Sequence, residues 1–75
     1  MEDYVRKIFK TLSDKLGKYN VVVRYNSQIE AYEICIKNQF GLVNYTYDRE
    51  CFEYDFDNTI EDILKDFRYG RRLND

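Results

Sequence analysis

Apolar residues near both ends of the chain recur every three or four positions, which is the period of an α-helix. In the N-terminal part this spacing predicts an amphipathic helix over residues 2–16, ended by Gly17. In the C-terminal part it predicts a second helix over residues 59–69, followed by Gly70 and a short tail. Two alternative capping boxes fit the start of the second helix, Asn58 with Glu61 and Thr59 with Asp62.

Between the two helices, apolar and polar residues alternate with the period of a β-strand that is buried on one face. The alternation predicts strands over residues 19–26, 29–37 and 42–47, and it extends to a fourth over residues 51–56. Short turns rich in Asn, Ser, Gln and Gly separate them, which favours antiparallel neighbours. We therefore expect an α+β fold: a helix, a three- to four-stranded antiparallel meander and a helix, with both helices on one face of the sheet.

The apolar sides of these elements define a predicted core, and the polar sides of the strands define an uncovered sheet face. The core is expected to contain Ile8, Phe9, Leu12, Val21, Val23, Ile34, Ile36, Val43, Tyr45, Phe52, Tyr54, Phe56, Ile63, Leu64 and Phe67. The uncovered face is expected to show Val22, Arg24, Glu33, Cys35, Lys37, Asn44, Thr46, Glu53 and Asp55.

The composition limits the chain to one small folded domain, residues 1–75. Apolar residues make up 44% of the chain and aromatic residues 17%, which excludes the aromatic-poor composition of disordered segments. Basic residues interrupt the first apolar positions, so we expect no signal peptide, and no apolar run approaches the ~20 residues that span a bilayer. Two cysteines do not make a disulfide framework. We expect a cytoplasmic protein with reduced thiols and no membrane partner.

Catalysis has little support in the residue types present. The chain has no His, so neither cysteine has the usual base for a nucleophilic thiol. Residues 55–60 resemble the first motif of the haloacid dehalogenase phosphatases, which implies a nucleophilic Asp55, an acid/base Asp57 and bound Mg²⁺. In that family the motif follows the first strand of a parallel sheet, whereas only fifteen residues follow Ile60 here. A calcium loop would need Gly at the position of Ile60. We expect no enzyme activity and no cofactor.

Acidic residues concentrate in residues 48–66, the acidic segment. It holds eight carboxylates and two basic residues, Arg49 and Lys65, so its net charge is −6 in a chain whose total is −2. The order helix, strands, helix also occurs in double-stranded RNA-binding domains, but this chain has Asp and Glu where those domains begin the second helix with Lys. Because phosphates supply most nucleic-acid affinity, we expect no direct binding of nucleic acid. The eight carboxylates are Asp48, Glu50, Glu53, Asp55, Asp57, Glu61, Asp62 and Asp66.

The acidic segment has two interpretations. In the first, the carboxylates are hydrated and keep the protein soluble, and those near the start of the second helix interact favourably with its dipole. In the second, they form a binding surface that mimics nucleic acid for a basic protein partner, such as a nuclease or another nucleic-acid-binding protein. In size, charge and layout the chain resembles small acidic inhibitor proteins of phages and mobile elements, including anti-CRISPR proteins, which implies a non-catalytic inhibitor. A toxin-immunity protein and a structural or dimerisation module are the alternatives, and the sequence leaves the partner and the oligomeric state open.

Overall fold

One helix precedes three consecutive strands, and further helical segments follow them. The computed structural model describes the backbone of residues 2–71 and the side chains of residues 3–69. The elements are α1 (Glu2–Lys15), β1 (Asn20–Asn26), β2 (Ala31–Asn38), β3 (Gly41–Asp48), α2 (Arg49–Tyr54), α3 (Phe56–Asp66) and a π-helical turn (Phe67–Arg71). Apart from Arg71, the predicted tail lies outside the described residues.

The strands form an antiparallel meander in the order β1-β2-β3. The register is continuous, so Val22, Cys35 and Asn44 lie side by side across the middle of the sheet. An Asn side chain shapes each turn by accepting a backbone hydrogen bond: Asn26 Oδ1 from the N–H of Gln28 at 3.0 Å, and Asn38 Oδ1 from the N–H of Phe40 at 2.8 Å.

The side of the sheet that faces the helices carries the large apolar side chains. Alternation along β2 places Tyr32, Ile34 and Ile36 on this side, and all three are at most 1% exposed. They pack in one cluster with residues of the three helices and the π-helical turn: Ile8, Leu12, Phe52, Ile60, Ile63, Leu64 and Phe67. Burial of each such side chain contributes about 1.5–3 kcal/mol. The arrangement confirms the predicted α+β fold with the helices packed on one face of the sheet.

The opposite face of the sheet is open, as the alternation predicts. Here Val22 is 47% exposed, and Cys35 is half-buried between its neighbours. Arg24 donates from Nε to Glu33 Oε1 at 2.6 Å across β1 and β2, so the two charges compensate each other. The predicted positions of Glu53 and Asp55 on this face are wrong, because Glu53 lies in α2 and Asp55 lies at the junction of α2 and α3.

The fourth predicted strand is also wrong, since residues 51–56 lie in α2 and at its junction with α3. Alternation places Phe52 and Phe56 on one side of a strand, but α2 and α3, which meet at Asp55, also bring the two rings together. Their ring centroids lie 5.9 Å apart. The backbone N–H of Arg49 donates to the carbonyl oxygen of Glu30 at 3.0 Å, which extends the β2–β3 register by one residue pair before the chain enters α2.

The start of α3 differs from the predicted capping boxes, which are wrong. The helix begins at Phe56 instead of Thr59, and its N-cap Asp55 makes no side-chain capping bond. The buried Thr59 hydroxyl instead lies 2.7 Å from the carbonyl oxygen of Cys51 and 2.9 Å from that of Asp55, and it donates towards both. Thr59 therefore ties α3 to the last turn of α2. Helical backbone continues beyond α3 through the π-helical turn, past the predicted end at Tyr69.

Two residues of the predicted core are exposed. Phe9 is 46% exposed because it lies on the flank of the α1 stripe, and Tyr54 is 82% exposed because α2 turns it outward. Three others, Val23, Val43 and Phe56, are half-buried at the margin of the core. The core also contains residues that the prediction omits: Leu16, Ala31, Tyr32 and Ile60.

Candidate functional site

The carboxylates of the acidic segment lie on α2 and α3 and at the ends of these helices. Six of them are exposed and form what we call the acidic surface: Asp48, Glu50, Asp55, Asp57, Glu61 and Asp62. The other two, Glu53 and Asp66, are half-buried. Within the described part of the chain none of the six exposed carboxylates has an ion-pair partner, since the pairs found there join Arg24 to Glu33 and Arg49 to Glu30.

The acidic residues of α3 form two stripes, one on each side of the helix face that points to solvent. The buried positions Thr59, Ile60, Ile63 and Leu64 face the sheet. Asp57 and Glu61 are four residues apart and share one flank of α3, while Asp62 and Asp66 share the other. Lys65 lies between the two stripes and is the basic residue of the last turn of α3. The sequence therefore concentrates negative charge on the solvent side of this helix.

A tyrosine joins the second stripe to the sheet. The hydroxyl of Tyr45 on β3 donates to Asp66 Oδ2 at 2.8 Å. Tyr45, Tyr47, Asp62 and Asp66 line a shallow hollow of about 320 Å³ between α3 and β3. Negative charge thus extends from α3 to the edge strand β3. The sequence prediction missed this hollow, because nothing in the alternation of β3 signals which tyrosine approaches a carboxylate.

The carboxylates around α2 differ in their surroundings. Asp48 is the N-cap of α2 without a side-chain capping bond, and Glu50 lies in the first turn, where a carboxylate favours the helix dipole. Arg49 Nη1 lies 3.7 Å from Glu30 Oε1. The charges of Glu30 and then Glu53 raise the pKa of the Arg49 guanidinium. Arg49 is therefore compensated locally and leaves the neighbouring exposed carboxylates unneutralised.

Asp55 occupies the junction of α2 and α3, where its Oδ2 accepts a hydrogen bond from Asn58 Nδ2 at 2.9 Å. The predicted acidic surface, continuous from a last strand onto a helix, is therefore displaced to the helical layer of the molecule. The eight predicted site residues do not form one compact centre. Within the described residues no group of three or more His, Cys, Asp or Glu side chains has the arrangement of a metal site.

The structure also contains a buried polar group that the sequence prediction missed. Tyr32 is 0% exposed, and its hydroxyl has no hydrogen-bond partner among the described residues. Burial, followed by the charge of Glu53, raises the pKa of Tyr32. A tyrosine at an apolar strand position can have a hydroxyl with or without a hydrogen-bond partner. The sequence therefore gives no signal that the Tyr32 hydroxyl has none.

The described helices are all too short or too polar to cross a membrane. Comparison of the chain with protein-family models, with curated proteins and with solved structures gave no match. Function must therefore be inferred from the acidic surface and its geometry.

Proposed function

We propose that this domain is a non-catalytic inhibitor that binds a basic, nucleic-acid-handling protein, such as a nuclease, through the acidic surface. An anti-defence protein of a phage, of the anti-CRISPR type, is the biological setting that we infer. The observation that carries the proposal is the set of six exposed carboxylates without an ion-pair partner in the described part of the chain. The proposal extends to Glu53 and Asp66 as half-buried members at the margin of the surface.

Uncompensated carboxylates favour a basic partner for a physical reason. Their attraction to a positive groove accelerates association, while their own desolvation remains small at an exposed surface. Residues four apart on α3, such as Asp57 and Glu61, are separated by about 6 Å along the helix axis. This spacing is of the same order as the spacing of phosphates along a nucleic-acid strand, so the acidic surface is suited to compete for phosphate-binding Lys and Arg residues.

The test is a capture experiment with two variants of equal net charge. Glu61→Lys with Asp62→Lys reverses two charges of the acidic surface. Asp3→Lys with Asp14→Lys reverses two exposed carboxylates of α1 as the matched control. Tagged wild type and control should capture the same protein from a lysate of the native host at low salt, and the Glu61/Asp62 variant should lose it by about tenfold or more.

Salt provides the second arm of this test. Because exposed charges are screened as ionic strength rises, capture by the wild type should weaken progressively with added salt. Equal capture by both charge-reversal variants, or capture that salt does not weaken, would contradict the proposal. A toxin-immunity protein would use the same chemistry, and the identity of the captured protein, a secreted toxin or a nucleic-acid-handling enzyme, separates the two.

A further inference from the structure

Tyr54 is a strongly exposed aromatic residue of α2. It is 82% exposed, whereas Phe52 of the same helix is fully buried. Helical geometry explains the contrast, because side chains two residues apart lie on nearly opposite sides of a helix. Among residues 3–69, no aromatic ring and no basic group makes a stacking or cation–π contact with the Tyr54 ring.

Carboxylates of the acidic surface lie beside this ring. Glu50 precedes Tyr54 by four residues on α2, so the two side chains share one side of the helix, with Cβ atoms about 5–6 Å apart. Asp55 follows Tyr54 directly, at the junction with α3. Both carboxylates are exposed. Residues 49–57 carry four carboxylates and one arginine, so the local net charge is −3.

The basic groups of the neighbouring elements contact other residues. Arg49 is half-buried, and its Nη1 lies 3.7 Å from Glu30 Oε1. Lys7 of α1 reaches the start of α3, where its Nζ lies 4.2 Å from the centroid of the Phe56 ring. Even with the charge of Lys7 included, the surroundings of Tyr54 stay net negative. A cation from outside the domain is therefore complementary to this ring and its carboxylates.

We propose that Tyr54 makes the acidic surface selective for arginine over lysine in the basic partner. The ring stacks on an arginine guanidinium that Glu50 or Asp55 binds at the same time. A guanidinium is planar, so it can stack on an aromatic ring and donate two hydrogen bonds to one carboxylate. The ammonium group of lysine is compact and strongly hydrated, and it lacks this planar face. The inference rests on the proposed function, since it specifies the chemistry of the same partner.

Two labelled peptides of equal length and charge, octa-arginine and octa-lysine, are the probes. Fluorescence anisotropy at low salt gives the dissociation constant of each peptide for each variant of the full chain. Wild type should bind the arginine peptide more tightly than the lysine peptide. Tyr54→Ala should reduce this preference by about two- to fivefold, because the stacking contact is lost. Tyr54→Phe keeps the ring and should retain the preference.

Tyr69→Ala is the matched control, because Tyr69 is 86% exposed but follows Arg68 instead of lying between carboxylates. It should show the preference of wild type. An equal loss of preference in Tyr54→Ala and Tyr69→Ala, or no loss in either, would overturn the proposal. Glu61→Lys with Asp62→Lys tests the proposed function separately, since it should weaken binding of both peptides. If it weakens neither, the acidic surface is refuted, while the comparison of Tyr54 with Tyr69 is still decided by its own result.

NMR of the wild-type protein with the arginine peptide gives a second measurement that needs no variant. Intermolecular nuclear Overhauser effects should connect the ring protons of Tyr54 with the δ-methylene protons of arginine, because stacking brings these groups into contact. The ring of Tyr69 should show no such effect. Equal effects at both rings, or effects at Tyr69 alone, would contradict the selective role of Tyr54.

Discussion

The buried hydroxyl of Tyr32 allows the effect of one substitution to be predicted closely. Its ring packs edge-on against Tyr25 and Phe52, with centroids 5.0 and 5.5 Å away, while its hydroxyl has no hydrogen-bond partner among the described residues. Tyr32→Phe keeps the ring and removes the hydroxyl. An unpaired buried hydroxyl destabilises the folded wild type by about 1–3 kcal/mol. Its removal recovers this free energy, but the small void left in the variant offsets part of the increase in stability. We expect the variant to be more stable by about 1 kcal/mol.

Urea denaturation followed by circular dichroism measures this change. The midpoint should rise while the slope stays constant, because the surface exposed on unfolding is unaltered. In thermal unfolding, about 1 kcal/mol corresponds to a rise of about 4–8 °C for a domain of this size. Tyr25→Phe is the matched control, because the half-buried Tyr25 hydroxyl interacts with the Arg49 guanidinium, and its removal should leave stability unchanged or lower it. A loss of about 1 kcal/mol or more in Tyr32→Phe would refute the reasoning, since it would mean that the hydroxyl is satisfied.

Alkaline pH provides an independent check on Tyr32. Burial and then Glu53 raise the pKa of Tyr32 from 10.0, so the folded state keeps this proton where the unfolded chain releases it. The part of the free energy of unfolding that arises from this pKa difference is present below the pKa of Tyr32 in the unfolded chain, and it is lost as the pH rises through the pKa in the folded state. The urea midpoint of the wild type should therefore fall more steeply than that of Tyr32→Phe between about pH 8 and about pH 11. Parallel curves would contradict the assignment of a buried, neutral phenol.

Two further substitutions test contacts that the sequence did not predict. Thr59→Val should lower the free energy of unfolding by about 1 kcal/mol in urea denaturation, because the buried hydroxyl that ties α3 to α2 is lost; equal stability to wild type would show that the backbone alone holds this junction. Hydrogen bonds from Arg24 and then Asn26 lower the pKa of Glu33 from 4.5. The stabilisation of the folded state by ionised Glu33 is therefore present above the pKa of the unfolded state, and it is lost as the pH falls through the pKa of the folded state. Wild type should therefore lose more stability than Glu33→Gln between about pH 6 and about pH 3, and equal losses would remove Glu33 as the cause.

Strong periodicity allowed much of the fold to be predicted from the sequence. The apolar stripe of α1 and the alternation of β2 each leave one arrangement that buries their large side chains, so the helix and the open sheet face follow directly. The segment 51–56 illustrates where this reasoning ends. A Phe–x–x–x–Phe spacing fits both a strand and a helical segment, and the packing of Phe52 against Tyr32 of β2 joins residues twenty positions apart.

The same ambiguity limited the prediction of the candidate site. As a strand, residues 51–56 would have placed Glu53 and Asp55 on the open face of the sheet. As a helix, the segment leaves Glu53 half-buried and moves the exposed carboxylates to the helical layer. The sequence therefore identified which residues are acidic, but their placement depended on a tertiary contact that no local pattern encodes.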